Sequence, residues 1–237
     1  MGSGTFRIMT WNIHGSARPD MDRVISVVAG VAPDIIGVQE IRRRQCELLA
    51  RQLRYEHRWD AKHNAYAPLP FTTEGLAVLV RGTVVSHRSI ELSDGVSFRS
   101  HRRRIAQIVE IDTGDRRVVL GNTHLASHEL KSERTDQARK FRECLETVGP
   151  GKDWIVTGDL NDHDEPEVIE TISGGRLLDA WPLLHGNDGG WTCPAASPTM
   201  RLDHVLVPLS ATVLNAGVVQ TDPSLSDHLP VVIDVQM

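Results

Sequence analysis

The chain has 237 residues, of which 40% are apolar and 24% are charged, and its formal net charge is −5 at pH 7. No apolar run approaches the ~18 residues that a membrane-spanning helix needs, so we expect a globular protein without membrane insertion. The mild acidity excludes a protein that coats nucleic acid non-specifically through a broad basic face, but it does not exclude an enzyme that contacts a few phosphates.

The distribution of glycine, proline and cysteine predicts a single domain. No internal repeat or low-complexity tract interrupts the chain, and α/β proteins of this length commonly form one unit. We therefore expect one domain over residues 5–237, with residues 1–4 a cloning remnant or a disordered start. Three cysteines fit neither a disulfide framework nor a C-x-x-C zinc site, so we expect a cytoplasmic protein.

Apolar runs of strand length recur along the chain, and most are rich in valine and isoleucine, which strands favour. The predicted strands cover residues 6–10, 34–38, 76–80, 105–111, 117–122, 154–157, 202–207, 213–219 and 231–235.

Three segments between these strands carry apolar residues at helical spacing. They contain Val24, Val27, Val28 and Val31 before Pro33; Leu48, Leu49 and Leu53; and Ala138, Phe141, Leu145 and Val148 before Pro150. The first 40 residues thus read strand, helix, strand, and residues 117–157 repeat that order. Later strands are joined only by loops, so we predict a layered α/β sandwich with mixed sheets.

Four predicted strands each lead into a polar side chain, and two more polar groups flank the last strands. The residues are Asn12, Glu40, His124 and the pair Asp159 and Asn161, followed later by Asp203, Asp227 and His228. If the sheets bring these positions to one edge, they form a polar cleft. Carboxylate and amide oxygens suit a hard divalent ion, so the pattern indicates Mg²⁺, with Mn²⁺ as a substitute.

Each of these residues also has an ordinary structural interpretation. Asn12 could form a turn, and Glu40 could lie in the first turn of the following helix, where its charge suits the helix dipole. Asp159 and Asn161 could belong to an acidic turn, and Asp227 could cap a backbone N–H. Taken singly, none of them carries a function.

Their joint order is more specific. The motifs are MTWNIH at 9–14, VQE at 38–40, NTHL at 122–125, TGDLN at 157–161, RLDH at 201–204 and SDHLP at 226–230. In sequence and spacing this series resembles the endonuclease/exonuclease/phosphatase family, over residues 6–235. The resemblance implies a deoxyribonuclease-I-like fold: a four-layer α/β sandwich of two packed mixed β-sheets flanked by helices.

The resemblance also implies roles for the polar residues. Glu40 would be the main metal-binding carboxylate with Asn12 beside it, and Asp227 would lie close to the metal or to a second ion. His124 would donate to a phosphate oxygen. His204 departs from the pattern, because the family commonly has an aromatic residue, usually tyrosine, at this position.

The remaining implied roles concern the nucleophile. Asp159 and Asn161 would position it and the scissile phosphate, and His228 would pair with Asp203, whose carboxylate orients the ring. Asp159 could also bind metal. The general base stays open between His228, Asp159 and a metal-bound water.

Basic and aromatic residues near these motifs suggest further substrate contacts. An arginine of the cluster at positions 99 and 102–104 could bind a phosphate through its forked guanidinium, and Arg103 and Arg104 are the best candidates. The loops at residues 62–73 and 189–192 are candidate walls of the cleft. For Arg42, Arg43 and Arg44 we favour a solvated helix face.

The leading hypothesis is a Mg²⁺-dependent phosphoesterase that hydrolyses phosphodiester bonds, with nucleic acid marginally favoured as substrate. An alternative is a phosphatase or phosphodiesterase acting on a small-molecule or lipid-headgroup phosphate, because the same chemistry serves both. A catalytically silent binding module is disfavoured, since every motif position keeps a competent side chain. We expect a phosphate-ester substrate and no obligate protein partner.

Overall fold

The computed structural model describes residues 4–62, 73–93, 103–127, 129–148, 151–163 and 166–237. The strands in these ranges are β1 (Thr5–Asn12), β2 (Ile35–Arg42), β3 (Glu56–Ala61), β4 (Glu74–Val80), β5 (Thr83–Glu91), β6 (Ile105–Asp112), β7 (Arg117–His124), β8 (Trp154–Asp159), β9 (Leu177–Asp179), β10 (Asp203–Pro208), β11 (Thr212–Val218) and β12 (Val231–Gln236). The α-helices are α1 (Met21–Val31), α2 (Arg43–Leu53), α3 (Lys131–Val148), α4 (Glu167–Ser173) and α5 (Pro182–His185).

The strands form two mixed sheets of six strands each. The order in sheet A is β11-β12-β1-β2-β4-β3, and the order in sheet B is β5-β6-β7-β8-β10-β9. The pairs β1–β2 and β7–β8 are parallel, and the other pairs of neighbouring strands are antiparallel. A helix, α1 or α3, connects each parallel pair, as the two strand-helix-strand patterns predicted.

Apolar side chains are buried in three layers. One cluster lies between the sheets and includes Ile35 of β2 and Leu120 of β7. A second packs α1 and α2 on the outer face of sheet A, through residues such as Leu49. A third packs α3 and α4 on the outer face of sheet B, through Phe141 and Ile172. The predicted four-layer α/β sandwich is therefore confirmed.

Local chemistry explains where α1 begins and ends. The Asp20 carboxylate accepts hydrogen bonds from the backbone N–H groups of Asp22 and Arg23, which caps the first turn. The helix ends at Ala32, which adopts a left-handed conformation just before Pro33. Among the described residues, no helix has both the length and the apolar character that crossing a bilayer requires.

Three strands were not predicted: β3, β5 and β9. All three lie at the edges of their sheets. An edge strand pairs on one side only, and in these three strands polar residues or a length of three residues leave no apolar run that is long enough to predict a strand, whereas the edge strand β11 keeps one. The sequence EHRWDA of β3 illustrates this, since all its residues are half-buried.

Buried polar side chains join the two sheets where β2 faces β7 and β8. The Gln39 side-chain amide donates to Asn122 Oδ1 at 2.8 Å, and Asn122 Nδ2 donates to the carbonyl of Ala77 at 3.0 Å. A Cβ atom at Gly37 would overlap with Thr157 Oγ1 and would lie 2.8 Å from Asn122 Oδ1. Only glycine at this position allows the sheets to approach so closely.

Replacing Gly37 with alanine is expected to lower the free energy of unfolding by about 1–3 kcal/mol, because the methyl group would force the sheets apart. Chemical denaturation followed by circular dichroism measures this change. Gly217→Ala on β11 is the matched control, since no atom of the described residues lies within 4 Å of the methyl group that it would add. Equal losses in the two variants would contradict the close approach at Gly37.

Candidate active site

The carboxyl ends of the two parallel strand pairs meet at one edge of the sandwich. In sheet A, Asn12 at the end of β1 lies beside Gln39 of β2. In sheet B, Asp159 at the end of β8 is flanked by His124 of β7 on one side and Asp203 of β10 on the other. The strand ends therefore converge as the sequence predicted.

These residues surround a cavity of about 360 Å³. It is lined by the predicted residues Asn12, Glu40, Arg104, His124, Asp159, Asn161, Asp227 and His228, together with His14, Ser16, Lys62, Glu74 and Ser127. Asp203 is not on the lining, because it lies behind His228.

Asn12 bridges the two sheets. Its Nδ2 donates to Asp159 Oδ2 at 3.0 Å, and its Oδ1 accepts from the backbone N–H of His14 at 3.1 Å. The second contact is the local turn that an asparagine often forms. Asn12 therefore acts both in a turn and in the cavity, so its two interpretations are compatible.

Asp159 is almost fully buried and is held on both carboxylate oxygens. Asn12 donates to Oδ2, and the backbone N–H of Asn161 donates to Oδ1 at 3.1 Å. Asn161 has a left-handed backbone with φ of 52°, and its Nδ2 donates to the carbonyl of Leu125 at 3.1 Å. Burial raises the pKa of Asp159 to about 6, although the nearby His228 opposes this rise. Asp159 is therefore a stronger base than an exposed aspartate.

His228 is held by a buried carboxylate. Its Nδ1 lies 2.7 Å from Asp203 Oδ2, and the Thr192 hydroxyl donates to the same oxygen at 2.6 Å. Its Nε2 faces Asp159 Oδ2 at 3.8 Å. Burial alone would lower the pKa of His228, but the charges of Asp203 and Asp159 outweigh it and raise the pKa well above 6.5. The ring is therefore protonated at neutral pH.

Hydrogen bonds hold residues 226–228 against the end of β1. Ser226 Oγ donates to the carbonyl of Asn12 at 2.6 Å and accepts from the backbone N–H of His228 at 3.1 Å. Trp11 Nε1 donates to the carbonyl of His228 at 2.9 Å. Ser226 thus caps the backbone here, while the Asp227 side chain is 54% exposed and lies 3.3 Å from His14 Nδ1 at the cavity rim.

Glu40 lies within β2 and not in the helix that follows it. Its φ is 56°, at an irregularity in the pairing of β2 with β4, and α2 begins at Arg43. The helical interpretation of Glu40 is therefore wrong, because the residue belongs to β2, at a point where the pairing with β4 is irregular. Burial alone would raise the pKa of Glu40, but Lys62 and Arg104 lower it, so the carboxylate is ionised.

Lys62 follows β3 directly, and its side chain is only 1% exposed. Its Nζ lies 3.2 Å from Glu40 Oε1 and 3.0 Å from His124 Nδ1. On its other side, His124 Nε2 lies 3.5 Å from Asp159 Oδ2. Burial, together with the charge of Arg104, lowers the pKa of Lys62 to about 8.

The two candidate arginines are in different environments. Arg104 is buried, lines the cavity and donates from Nη1 to the carbonyl of His124 at 3.4 Å. Arg103 pairs with Glu91 at 2.9 Å and is not on the cavity lining. The arginines at 99 and 102 and the loop at 63–72 lie outside the described residues.

His204, where the sequence departs from the family pattern, is buried behind the site. Its Nδ1 lies 3.0 Å from Asp179 Oδ2, which also accepts from Arg201. Its Nε2 lies 3.1 Å from the carbonyl of Arg201. Asp179 thus provides a partner for the imidazole, and among the described residues His204 is not part of the cavity lining.

The donor set fits a hard divalent cation. Carboxylate and amide oxygens of Glu40, Asn12 and Asp227 are on the cavity lining. Ligand atoms of Asp159, Asp203 and His228 also lie within 4.8 Å of one another, but a protonated His228 ring would not bind a metal ion. Within the described part of the chain, the buried Asp203 Oδ1 has no hydrogen-bond partner.

The sequence does not predict the roles of three residues of the site. The sequence places Lys62 at the start of a cleft loop, Thr192 in another loop and His14 in a motif, and it predicts no contact for any of them. Each acts through a contact with a residue distant in sequence, and no local spacing signals such a contact.

Comparisons with known proteins identify relatives of this chain in sequence and in fold. A curated protein of Caenorhabditis briggsae, named 5'-tyrosyl-DNA phosphodiesterase, is 31% identical over 185 residues, which cover 73% of this chain and 48% of that protein. The chain thus spans about half the length of this relative.

Two solved structures show the same fold. One is a mannosyl-6-phosphatase of Bacteroides thetaiotaomicron, with a TM-score of 0.80, 20% identity and coverage of 97% of this chain and 99% of that chain. The other is TDP2 of D. rerio complexed with a single-strand DNA product, with a TM-score of 0.79, 17% identity and coverage of 99% and 100%.

Two packed mixed sheets with a polar cavity at the carboxyl ends of their parallel strands define the deoxyribonuclease-I-like class of hydrolases. The model of the Endonuclease/Exonuclease/phosphatase family matches residues 9–228. The chain belongs to this family.

The raised pKa of His228 predicts the effect of Asp203→Asn in metal-free protein. Loss of the Asp203 charge removes the main stabilisation of the protonated ring, so the pKa of His228 should fall. The titration of the imidazole Cε1–H signal by NMR measures this, with His228→Gln to assign the signal.

The control for this measurement is Asp222→Asn, which removes an exposed carboxylate that pairs with Arg23. It should leave the titration of His228 unchanged. An unchanged pKa in Asp203→Asn would show that Asp203 does not stabilise the charged ring.

Proposed function

We propose that the protein is a Mg²⁺-dependent phosphodiesterase that hydrolyses phosphodiester bonds in nucleic acid. The observation that carries this proposal is the convergence of Glu40, Asp159 and His228 on one cavity, with a basic Asp159 beside a protonated His228. A carboxylate with a raised pKa beside a histidine that keeps its proton is typical of acid–base catalysis.

Glu40 and Asn12, with Asp227 at the rim, are the residues that would hold Mg²⁺, and Mn²⁺ would substitute. When bound, the ion would stabilise negative charge on the phosphate oxygens. The lowered pKa of Glu40 supports this assignment, because the carboxylate is already ionised.

Asp159 is the stronger candidate for the general base. Above about pH 6 its carboxylate is ionised, and it can take a proton from the attacking water. His228 keeps its proton in the same pH range, so it is suited to donate from Nε2 to a phosphate oxygen or to the leaving group. Asn161 positions Asp159 through its backbone N–H.

His124 and Arg104 would bind the non-bridging phosphate oxygens. Both line the cavity, and Arg104 also supports the backbone of His124. A guanidinium can contact two phosphate oxygens at once. Because Arg103 pairs with Glu91, we propose a phosphate contact for Arg104 and not for Arg103.

Nucleic acid is the favoured substrate because the relative at 31% identity is named a DNA phosphodiesterase. The 360 Å³ cavity is also large enough for a small phosphorylated metabolite, and a structural neighbour is named a sugar phosphatase. A small-molecule phosphate is therefore the second candidate.

Removing the proposed metal or its ligand should abolish activity. With an aryl phosphodiester, we expect turnover with Mg²⁺ or Mn²⁺ and none in EDTA. Glu40→Gln and His228→Gln should each lower kcat by about 100-fold or more, because Glu40 would hold the ion and His228 would donate to the reacting phosphate group. Glu47→Gln, at a surface ion pair with Arg43, is the control and should keep full activity. Undiminished turnover in EDTA would refute the metal requirement.

A substrate panel separates the two candidate substrates. We expect faster cleavage of a 5'-tyrosyl-linked oligonucleotide or plasmid DNA than of mannose 6-phosphate, and a rate on DNA that falls with salt, since phosphate binding releases counterions. Assays of strand cleavage and phosphate release measure these rates. Release of phosphate from sugar phosphates alone would favour the second candidate.

A further inference from the structure

We infer that Lys62 is a positioning residue that fixes the tautomer of His124, so that the His124 Nε2 carries the proton and directs it into the cavity. This inference rests on the proposed function, because it explains how His124 would become a donor to a phosphate oxygen. No family motif of this chain includes Lys62.

The argument begins with hydrogen-bonding chemistry. A lysine ammonium has only donors, so a nitrogen in contact with it must accept. Lys62 Nζ lies 3.0 Å from His124 Nδ1, and both side chains are buried. In a neutral imidazole one nitrogen accepts and the other carries the proton. The proton of His124 therefore sits on Nε2.

Two neighbouring carboxylates agree with this assignment. His124 Nε2 lies 3.5 Å from Asp159 Oδ2, which suits a protonated Nε2. Glu40 Oε1 also lies 3.5 Å from His124 Nδ1, but Lys62 is closer to that nitrogen and itself donates to Glu40 Oε1 at 3.2 Å. Lys62 thus takes the position from which Glu40 would otherwise accept a hydrogen bond from a protonated Nδ1.

The backbone holds both partners in place. The N–H of Lys62 donates to the carbonyl of Glu74 at 2.9 Å, which extends the pairing of β3 with β4 by one residue. The carbonyl of His124 accepts from Arg104. The N–H of the next residue, Leu125, donates to the carbonyl of Asp159 at 3.0 Å. Lys62 and His124 therefore meet in a fixed geometry.

The two histidines of the site therefore differ in their hydrogen-bond partners. His228 Nδ1 lies against a carboxylate, whereas His124 Nδ1 lies against an ammonium, so His124 is a neutral donor with one defined N–H. A neutral donor aimed at a phosphate oxygen stabilises developing charge without exchanging a proton.

The test is a two-dimensional ¹H–¹⁵N NMR spectrum of protein with ¹⁵N-labelled histidine, recorded in EDTA at neutral pH. His124→Gln identifies the His124 signals. We expect the Nε2–H tautomer in the wild type and in Lys62→Arg, since arginine also has only donors. Lys62→Met should give a mixture of tautomers or the Nδ1–H form, because Glu40 can then accept from Nδ1. Lys152→Met, at a surface ion pair with Glu110, should leave the spectrum unchanged.

An Nδ1–H tautomer in the wild type would overturn the inference even if Lys62→Met failed to fold. An unchanged tautomer in folded Lys62→Met would also overturn it. Because this readout needs no turnover, the inference can survive the failure of the proposed phosphodiesterase activity.

Steady-state kinetics give a second readout with Mg²⁺ and the aryl phosphodiester. Lys62→Met should lower kcat by about tenfold or more with little change in KM, and Lys62→Arg should restore much of the loss. A raised KM with kcat unchanged would mean that Lys62 binds the substrate directly, which would contradict a positioning role.

Discussion

The hydrogen bond from Asn12 to Asp159 joins the two sheets at the edge where the site lies. One partner ends a strand of sheet A and the other ends a strand of sheet B, so the site exists only if the sheets pack in one relative position. Gln39 of β2 and Asn122 of β7 connect the neighbouring strands of the two sheets, and Gly37 permits the close approach. A misplacement of a catalytic group by about 1 Å can cost 100-fold in rate, so we expect these buried contacts to affect activity as well as stability.

Burial of charge is the second constraint on the site. Asp159, Lys62 and His228 are all removed from water, which disfavours their charged forms. Each lies near groups of opposite charge that offset part of this cost. The effect of burial is larger for Asp159, so its pKa rises. The effect of the neighbouring charges is larger for His228, so the ring keeps its proton. In water, an aspartate would be a weaker base and a histidine would be mostly neutral at pH 7.

The fold alone does not select the substrate. Proteins of this architecture include a mannosyl-6-phosphatase and a protein crystallised with single-strand DNA, although they share the arrangement of sheets. In this chain, the groups proposed to handle the phosphorus chemistry come from strand ends, whereas loops surround the cavity. The shared arrangement of sheets therefore does not by itself identify the substrate.

The sequence by itself determined the principal strands, the α/β layering and the order of the polar motifs, because apolar periodicity and residue type are local properties. It did not determine the edge strand β3, whose half-exposed residues lack an apolar run, nor the position of Glu40 within β2. Only the tertiary structure placed Lys62 against His124 and Thr192 against Asp203. The first contact joins residues 62 positions apart, and it exists because the two sheets pack face to face. The second exists because the loop before β10 folds back onto the start of that strand.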